Sequence, residues 1–276
     1  MDLYERLSTA GDFFLIAGPC VVEKLRVMEE VAQKLTQIRE ETGICVVFKA
    51  SYKKANRTSG DSYTGPGEEE GLKLLEHVGR SFELPLLTDV HEQAEVSTAA
   101  EVCDILQIPA FLSRQTDLIR TAAASGRIIN IKKGQFMAPE DMRAAALKAG
   151  ENKKILLTER GTSFGYHNLV VDFRSFGIMA SFGYPVVYDV THSLQLPSSG
   201  KNSGGNPEFA PQMARAALAT GRVKGLFLET HPDPAKALSD AASMLPLGKL
   251  ADLIRDCLII TRSREERDEL QKAHKN

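Results

Sequence analysis

A single-domain α/β fold, the (β/α)8 or TIM barrel, is what this sequence predicts. Short β-rich runs alternate along the whole chain with longer stretches of helical period, the mark of βα units and a parallel sheet. Eight such pairs fit in 276 residues, the size of one closed barrel. Each strand end carries a chemically capable side chain, as a barrel that builds its site at one mouth requires.

The first pair is "FFLIAG" (13–18) with a helix near 24–41, and the second is "CVVFKA" (45–50) with a helix near 68–80 beyond a long loop. "PLLTDV" (85–90) leads into a helix near 92–100, and "DILQIP" (104–109) into one near 115–125. "IINIKK" (128–133), "KILLTER" (154–160), "PVVYDV" (185–190) and "GLFLET" (225–230) repeat the scheme, each before a helix-length stretch. A doubly wound open sheet is the alternative, but no G-x-G-x-x-G follows the first strand. With no low-complexity tract or linker to divide it, residues 1–276 read as one catalytic domain.

A formal charge of −2 gives no global basic field for nucleic acid or a membrane surface, so the expected partners are small molecules. No apolar run reaches the roughly 18 residues of a membrane span, and the first residues carry acids rather than a basic leader, so a cytoplasmic protein is expected. Cys20, Cys45, Cys103 and Cys257 are widely spaced without a C-x-x-C pair, which argues against a disulfide framework or zinc knuckle. Cys45, Cys103 and Cys257 sit in apolar segments and read as core thiols. Cys20 instead ends an apolar run, after "LIAGP".

The strand ends are, in order, Cys20, Lys49, Asp89, Gln107, Lys132, Arg160, His192 and Glu229, with Lys54, Asn56, Arg57 and Asp240 on the loops beyond. Lys49, Lys54, Arg57, Lys132 and Arg160 would converge on one mouth, a density of cation suited to phosphates or a phosphate plus a carboxylate. Arginine grips phosphate as a fork while lysine is a mobile point charge, so the mixture suits a substrate whose charge moves during reaction. Ser51, Asn56, Thr58 and Ser59, interleaved with these cations, suit a sugar. Cys20, His192, Glu229 and Asp240 offer thiolate, imidazole and two carboxylates from neighbouring strand ends, a set for a divalent transition metal. His231 is an alternative to His192 in that set, and Asp233 to Asp240.

The stretches "IAGPCVVE", "FKASYKKANRTS", "GPGEEEG", "TDVHE", "LQIPAFLSRQTDL", "NIKKGQF", "TERGTSFGYHNLVVDFRS", "YDVTHSLQLP" and "ETHPDPAKALSDAASMLPL" span nearly the whole chain. In them the sequence resembles the 3-deoxy-D-manno-octulosonate 8-phosphate (Kdo-8-phosphate) synthases, in their metal-dependent branch. The resemblance implies a (β/α)8 barrel that condenses phosphoenolpyruvate with D-arabinose 5-phosphate and water, releases phosphate, and feeds the Kdo sugar of lipopolysaccharide. It implies a phosphoenolpyruvate site of Lys49, Lys54, Lys132, Arg160, Gln107 and the backbone around Ala110. Arabinose 5-phosphate contacts would come from Ser51, Asn56, Arg57, Thr58 and Asp89. The implied catalytic set is Lys54, Asn56, Asp89 and His192.

The implied metal is manganese, iron, zinc or cobalt, held by Cys20, His192, Glu229 and Asp240. "AGPC" carries that implication, because the metal-independent branch has asparagine at the position of Cys20. Arg114, the arginine of "FLSRQTDL", is implied to reach the sugar phosphate of a neighbouring subunit, so a homotetramer is expected. The chain departs from the family pattern at Thr58, Gly60 and Thr64, and at Asn206 and Pro207 where an arginine is common. The sister enzymes that use erythrose 4-phosphate share "AGPC" but read closer to "KPRTSP" where this chain has "KANRTS". A non-catalytic sugar-phosphate sensor is the rival of another class; it could lose members of the cation and metal sets, all of which are present here.

Overall fold

Eight strands pair in parallel around a closed ring: β1 (Phe14–Gly18), β2 (Val46–Lys49), β3 (Leu86–Asp89), β4 (Ile105–Ile108), β5 (Ile128–Lys132), β6 (Ile155–Glu159), β7 (Val186–Asp189) and β8 (Gly225–His231). The ring closes where Phe14 to Gly18 run alongside Gly225 to Glu229. This is the predicted (β/α)8 barrel, seen in a computed structural model that describes residues 1–55, 63–166, 168–196 and 204–273.

Every barrel strand is buried along its length, so both faces are apolar and the runs show no alternation with polar residues except near their C-terminal ends. Side chains two apart share a face. Ile16, Val47, Leu87, Ile105, Ile128, Leu156, Val187 and Phe227 thus fill the barrel interior as one cluster. Outward-facing residues such as Leu15, Val46, Leu106 and Ile129 pack beneath the surrounding helices.

The helices bury one stripe each. Met28, Val31, Ala32, Leu35 and Ile38 supply it in the helix Leu25–Thr42, which ends at Gly43 with φ 76°. The helix Glu68–Phe82 opens on three glutamates and carries Arg80 in its last turn, both favourable to the helix dipole. After β3 the predicted helix begins as a 3-10 turn, Gln93–Glu95, before Val96–Val102. The chain closes on a long helix, Leu247–Ala273.

Three features go beyond the eight units. A short helix, Leu3–Ser8, held by a capping box between Asp2 and Glu5, inserts Leu7 into the interior cluster at the N-terminal end of the strands. The Tyr4 hydroxyl there donates to the Ile155 carbonyl at 3.2 Å. Two small hairpins, Thr162–Ser163 with Leu169–Val170 and Gln195–Leu196 with Gly204–Gly205, rise from the loops after β6 and β7.

Among the thiols, Cys103 and Cys257 are buried as expected, and burial pushes Cys257 up to about 12. Cys45 corrects the expectation: it is only half-buried, with Arg6 Nη2 3.6 Å from its sulfur. It lies at the N-terminal rim of the barrel, where its carbonyl accepts the Leu15 N–H at 2.9 Å and its side chain packs at the edge of the interior cluster. No helix among the described residues is long and apolar enough to cross a membrane.

Candidate active site

At the C-terminal ends of the strands the apolar interior gives way to a charged layer. Lys49, Asp89, Lys132, Asp189 and Glu229 lie two residues beyond Val47, Leu87, Asn130, Val187 and Phe227, and therefore on the same inward face. Four of the five neutralise one another in two pairs. Lys49 Nζ is 2.6 Å from Glu229 Oε1, and Lys132 Nζ is 2.5 Å from Asp189. Below them the Phe227 ring lies 4.4 Å from Lys132 Nζ and 5.5 Å from Lys49 Nζ, offering its negative face to both ammoniums. Buried pairs of this kind add little net stability, since desolvation offsets their attraction. Their use is to hold charge in readiness.

Above this layer opens a cavity of about 590 Å³ lined by Lys49, Lys54, Asp89, Gln107, Ala110, Lys132, Arg160, His192, Glu229 and Asp240. These are strand-end and loop residues singled out in the sequence, brought to one mouth. Ser51 and Cys20 lie behind the wall, fully buried. Arg114 stays outside: it is exposed on the loop before the helix Thr116–Ala124, with its carbonyl accepting from Lys148 Nζ. Asn56, Arg57, Thr58 and Gly60 lie outside the described residues. Thr64 is described, and its carbonyl accepts the Lys54 N–H at 2.8 Å, tying down the far side of that loop.

Arg160 has idle donors. Its Nη2 donates to Gln195 Oε1 at 3.1 Å, but Nε and Nη1 are buried without a partner among the described residues. A buried guanidinium with idle N–H groups is set for an anion that brings two oxygens. Lys54 has the opposite surroundings. Burial alone would depress its ammonium; the Glu229 and Asp240 carboxylates, the second with Oδ2 3.7 Å from Nζ, raise it when no cation lies between them. Asp89 also resists burial: the Lys49 and Lys54 ammoniums keep its carboxyl far below the usual range.

Cys20, Glu229 and Asp240 each offer a ligand atom within 4.8 Å of the others. The Cys20 thiol donates to Asp240 Oδ2 at 2.9 Å, and Glu229 Oε2 is buried with no partner. Burial, and then the Asp240 and Glu229 carboxylates, push the thiol well above its normal range. A cation placed among these three atoms would reverse that penalty, release the thiol proton and satisfy the idle oxygen, so the donor set fits a metal. Asp240 is held there by a left-handed backbone, φ 49°, which costs a non-glycine residue about 1 kcal/mol or more.

His192 stands beside this trio, its Nε2 3.6 Å from Glu229 Oε1. Asp189 accepts both its backbone N–H and its Nδ1–H, at 2.9 and 3.0 Å, which turns Nε2 toward the cluster. The two alternatives point elsewhere: His231 faces Glu23 at 3.4 Å, and Asp233 pairs with Lys236 at 2.7 Å.

Sequence reasoning missed Asp189, which orients His192 and pairs with Lys132, and Gln195, which joins Arg160 to Asp240. Asp189 was findable, being two residues beyond an apolar strand position. Gln195 has no comparable signal, because its place depends on a hairpin. His91 and Phe111 also line the cavity unannounced.

With the cavity in view, comparison with known proteins is informative. Residues 8–263 match the DAHP synthetase I family. The chain belongs to that family. A 2-dehydro-3-deoxyphosphooctonate aldolase of Acidithiobacillus ferrooxidans, a Kdo-8-phosphate synthase by its other name, is 54% identical over 246 residues, 88% of this chain and 87% of the relative. The protein of the same name from Xanthomonas campestris pv. campestris is 53% identical over 244 residues, 87% of this chain and 88% of the relative. The span 8–263 matched by the family includes the eight barrel strands and the cavity residues named above.

Proposed function

We propose that this member of the family condenses phosphoenolpyruvate with D-arabinose 5-phosphate and water to give 3-deoxy-D-manno-octulosonate 8-phosphate and inorganic phosphate. The product would serve lipopolysaccharide Kdo synthesis in the cytoplasm. The Nε and Nη1 of Arg160, buried and without a partner among the described residues in a cavity that Lys49, Lys132 and Asp89 also line, carry the reading. The cations suit a phosphate and the Asp89 carboxylate suits sugar hydroxyls.

In the proposed reaction, Arg160 and Lys132 hold the phosphate of phosphoenolpyruvate, with Lys49, Gln107 and the backbone near Ala110 completing its site. Phosphoenolpyruvate C3 bonds to the aldehyde carbon, and the aldehyde oxygen takes up a proton as it becomes a hydroxyl. Lys54, which lines the cavity with its Nζ 3.7 Å from Asp240 Oδ2, is the donor. C2, left electron-poor, gains the oxygen of water; one water proton restores the Lys54 ammonium, and the other leaves with the phosphate as the C2–O bond to phosphate breaks and C2 becomes a ketone. Ser51, Asp89, Asn56, Arg57 and Thr58 orient the sugar, so that two reactants meet at fixed geometry rather than by collision. A divalent transition metal held by Cys20, His192, Glu229 and Asp240 would supply a Lewis acid beside the aldehyde and the attacking water. His192 contributes through Nε2, which Asp189 aims.

The test is phosphate release from phosphoenolpyruvate with arabinose 5-phosphate or erythrose 4-phosphate, on protein treated with chelator and resupplied with manganese, zinc, iron or cobalt. Activity with arabinose 5-phosphate, lost on chelation and restored by metal, is expected. Preference for erythrose 4-phosphate would assign the sister activity, and activity after verified metal removal would sink the metal reading.

Exposure of Arg114 away from its own cavity supports a site completed by a neighbouring subunit in a homotetramer. Arg114→Ala is expected to raise KM for arabinose 5-phosphate about tenfold or more, the loss of one charge-assisted phosphate contact. KM for phosphoenolpyruvate should stay within about twofold; equal changes in both constants would contradict the role.

A further inference from the structure

Glu23 and His231 stand outside the proposed reaction, yet both are buried, at 7% and 3% exposure. They face each other between the segment after β1 and the end of β8, with Glu23 Oε2 3.4 Å from His231 Nε2. The far side of the ring assigns its tautomer. His231 Nδ1 accepts the Asp233 N–H at 2.9 Å, so the ring proton sits on Nε2, toward Glu23. At 3.4 Å that contact is an electrostatic one rather than a close hydrogen bond. The other carboxylate oxygen, Oε1, makes the shorter bond, accepting the Leu238 N–H at 3.1 Å.

Each side of this bridge carries a proposed metal ligand a few residues away. Cys20 is three residues before Glu23, on a segment fixed to the barrel where the Val22 N–H donates to the Ser51 carbonyl at 2.9 Å. Asp240 is two residues after Leu238, in a loop whose other backbone bonds are its own. They are the 3-10 turn Pro234–Lys236 and the Ser243 N–H on the Asp240 carbonyl. Gln195 reaches the Asp240 side chain, not its backbone. Among the described residues, Glu23 is the only side chain outside the loop that bonds its backbone between Pro234 and Ser243. Asp240 needs such a tether, because a left-handed φ of 49° persists at a non-glycine residue only where its surroundings enforce it.

We propose that Glu23 is a positioning residue for the metal centre. It straps the loop 232–243 to the segment that carries Cys20, and so sets the approach of the Asp240 carboxylate to the Cys20 thiol. The inference rests on the reading of Cys20, His192, Glu229 and Asp240 as metal ligands. Glu23 is not itself a ligand: one oxygen is taken by Leu238 and the other faces His231.

The test titrates cobalt(II) into full-length, metal-stripped protein and follows the thiolate-to-cobalt charge-transfer band, which reports Cys20 on the metal without any turnover. Glu23→Ala should weaken cobalt binding 10–100-fold, the usual cost of removing a group that holds a ligand in place, while the band persists at saturation. Glu23→Gln keeps an acceptor for the Leu238 N–H and should lose only about fivefold, a neutral hydrogen bond replacing a charged one. The sharper comparison adds Asp240→Ala. In that background Glu23→Ala should cost less than about a further twofold, because the strap acts through Asp240.

Unchanged cobalt affinity in Glu23→Ala, or losses that multiply in the double variant, would overturn the strap and leave the ligand set standing. Cys20→Ala protein that binds cobalt as tightly as wild type would overturn the ligand set and the inference with it. Melting temperatures separate a loss of affinity from a loss of folding, and Glu23→Gln in the two Asp240 backgrounds carries the same comparison if Glu23→Ala fails to fold.

Discussion

Cys20→Ala protein, dialysed against a weak chelator and then assayed with added manganese or zinc, is expected to retain less than about a hundredth of wild-type metal affinity. Groups that merely orient a ligand are worth 10–100-fold in affinity, and a thiolate in the ligand set is worth at least as much. The chemistry of the pocket explains the size of the effect. Without a cation the Cys20 proton stays on sulfur, bonded to Asp240 at 2.9 Å, and Glu229 Oε2 has no partner. Alanine removes the one thiolate and leaves the His192 imidazole and two carboxylates already leaning on Lys49 and Lys54. Turnover should fall with metal content, by about three orders of magnitude, the scale seen when a principal electrostatic stabiliser is removed. Metal analysis and activity must be measured on the same samples. A metal-stripped variant with full activity would show that Cys20 is only a buried thiol.

The second large effect is expected at Arg160. Charge-assisted hydrogen bonds contribute about 1.5–3 kcal/mol each, and Nε and Nη1 stand ready to make two. Arg160→Ala should therefore lower kcat/KM for phosphoenolpyruvate by roughly two to four orders of magnitude. Arg160→Lys should recover part of this through charge but not the forked geometry. KM for arabinose 5-phosphate should respond far less. Gln195→Ala is a useful companion, since Gln195 holds Nη2 at 3.1 Å without itself offering a charge. If Arg160→Ala binds phosphoenolpyruvate normally in a direct titration, the phosphate belongs elsewhere in the cavity.

The barrel was legible because its strands are short apolar runs buried on both faces, and the strand ends were legible because charge interrupts those runs at similar depth. The cavity accordingly gathers Lys49, Asp89, Gln107, Lys132 and Arg160 from five different strand ends. What escaped depends on direction or on distance along the chain. Asn130 and Thr158 sit inside apolar runs and look like ordinary strand residues until β4, β5 and β6 are laid side by side, where Thr158 donates to Asn130 and Asn130 to Gln107. Gln195 reaches Arg160 and Asp240 only because a hairpin brings it there. The six-residue helix at the start escaped because it is too short for a periodic pattern, and its capping box is its only local mark.

That helix has a consequence for traffic. Leu7 adds a floor beneath an interior already filled by Ile16, Val47, Leu87 and their neighbours, so no passage runs down the barrel axis among the described residues. In the proposed reaction every ligand would then come and go at the charged end, and one seated on Lys49 and Lys132, which retain 1% and 6% of their exposure, would arrive before whatever lies above it and leave after it. Such a queue would be set by the packed floor as much as by the charges.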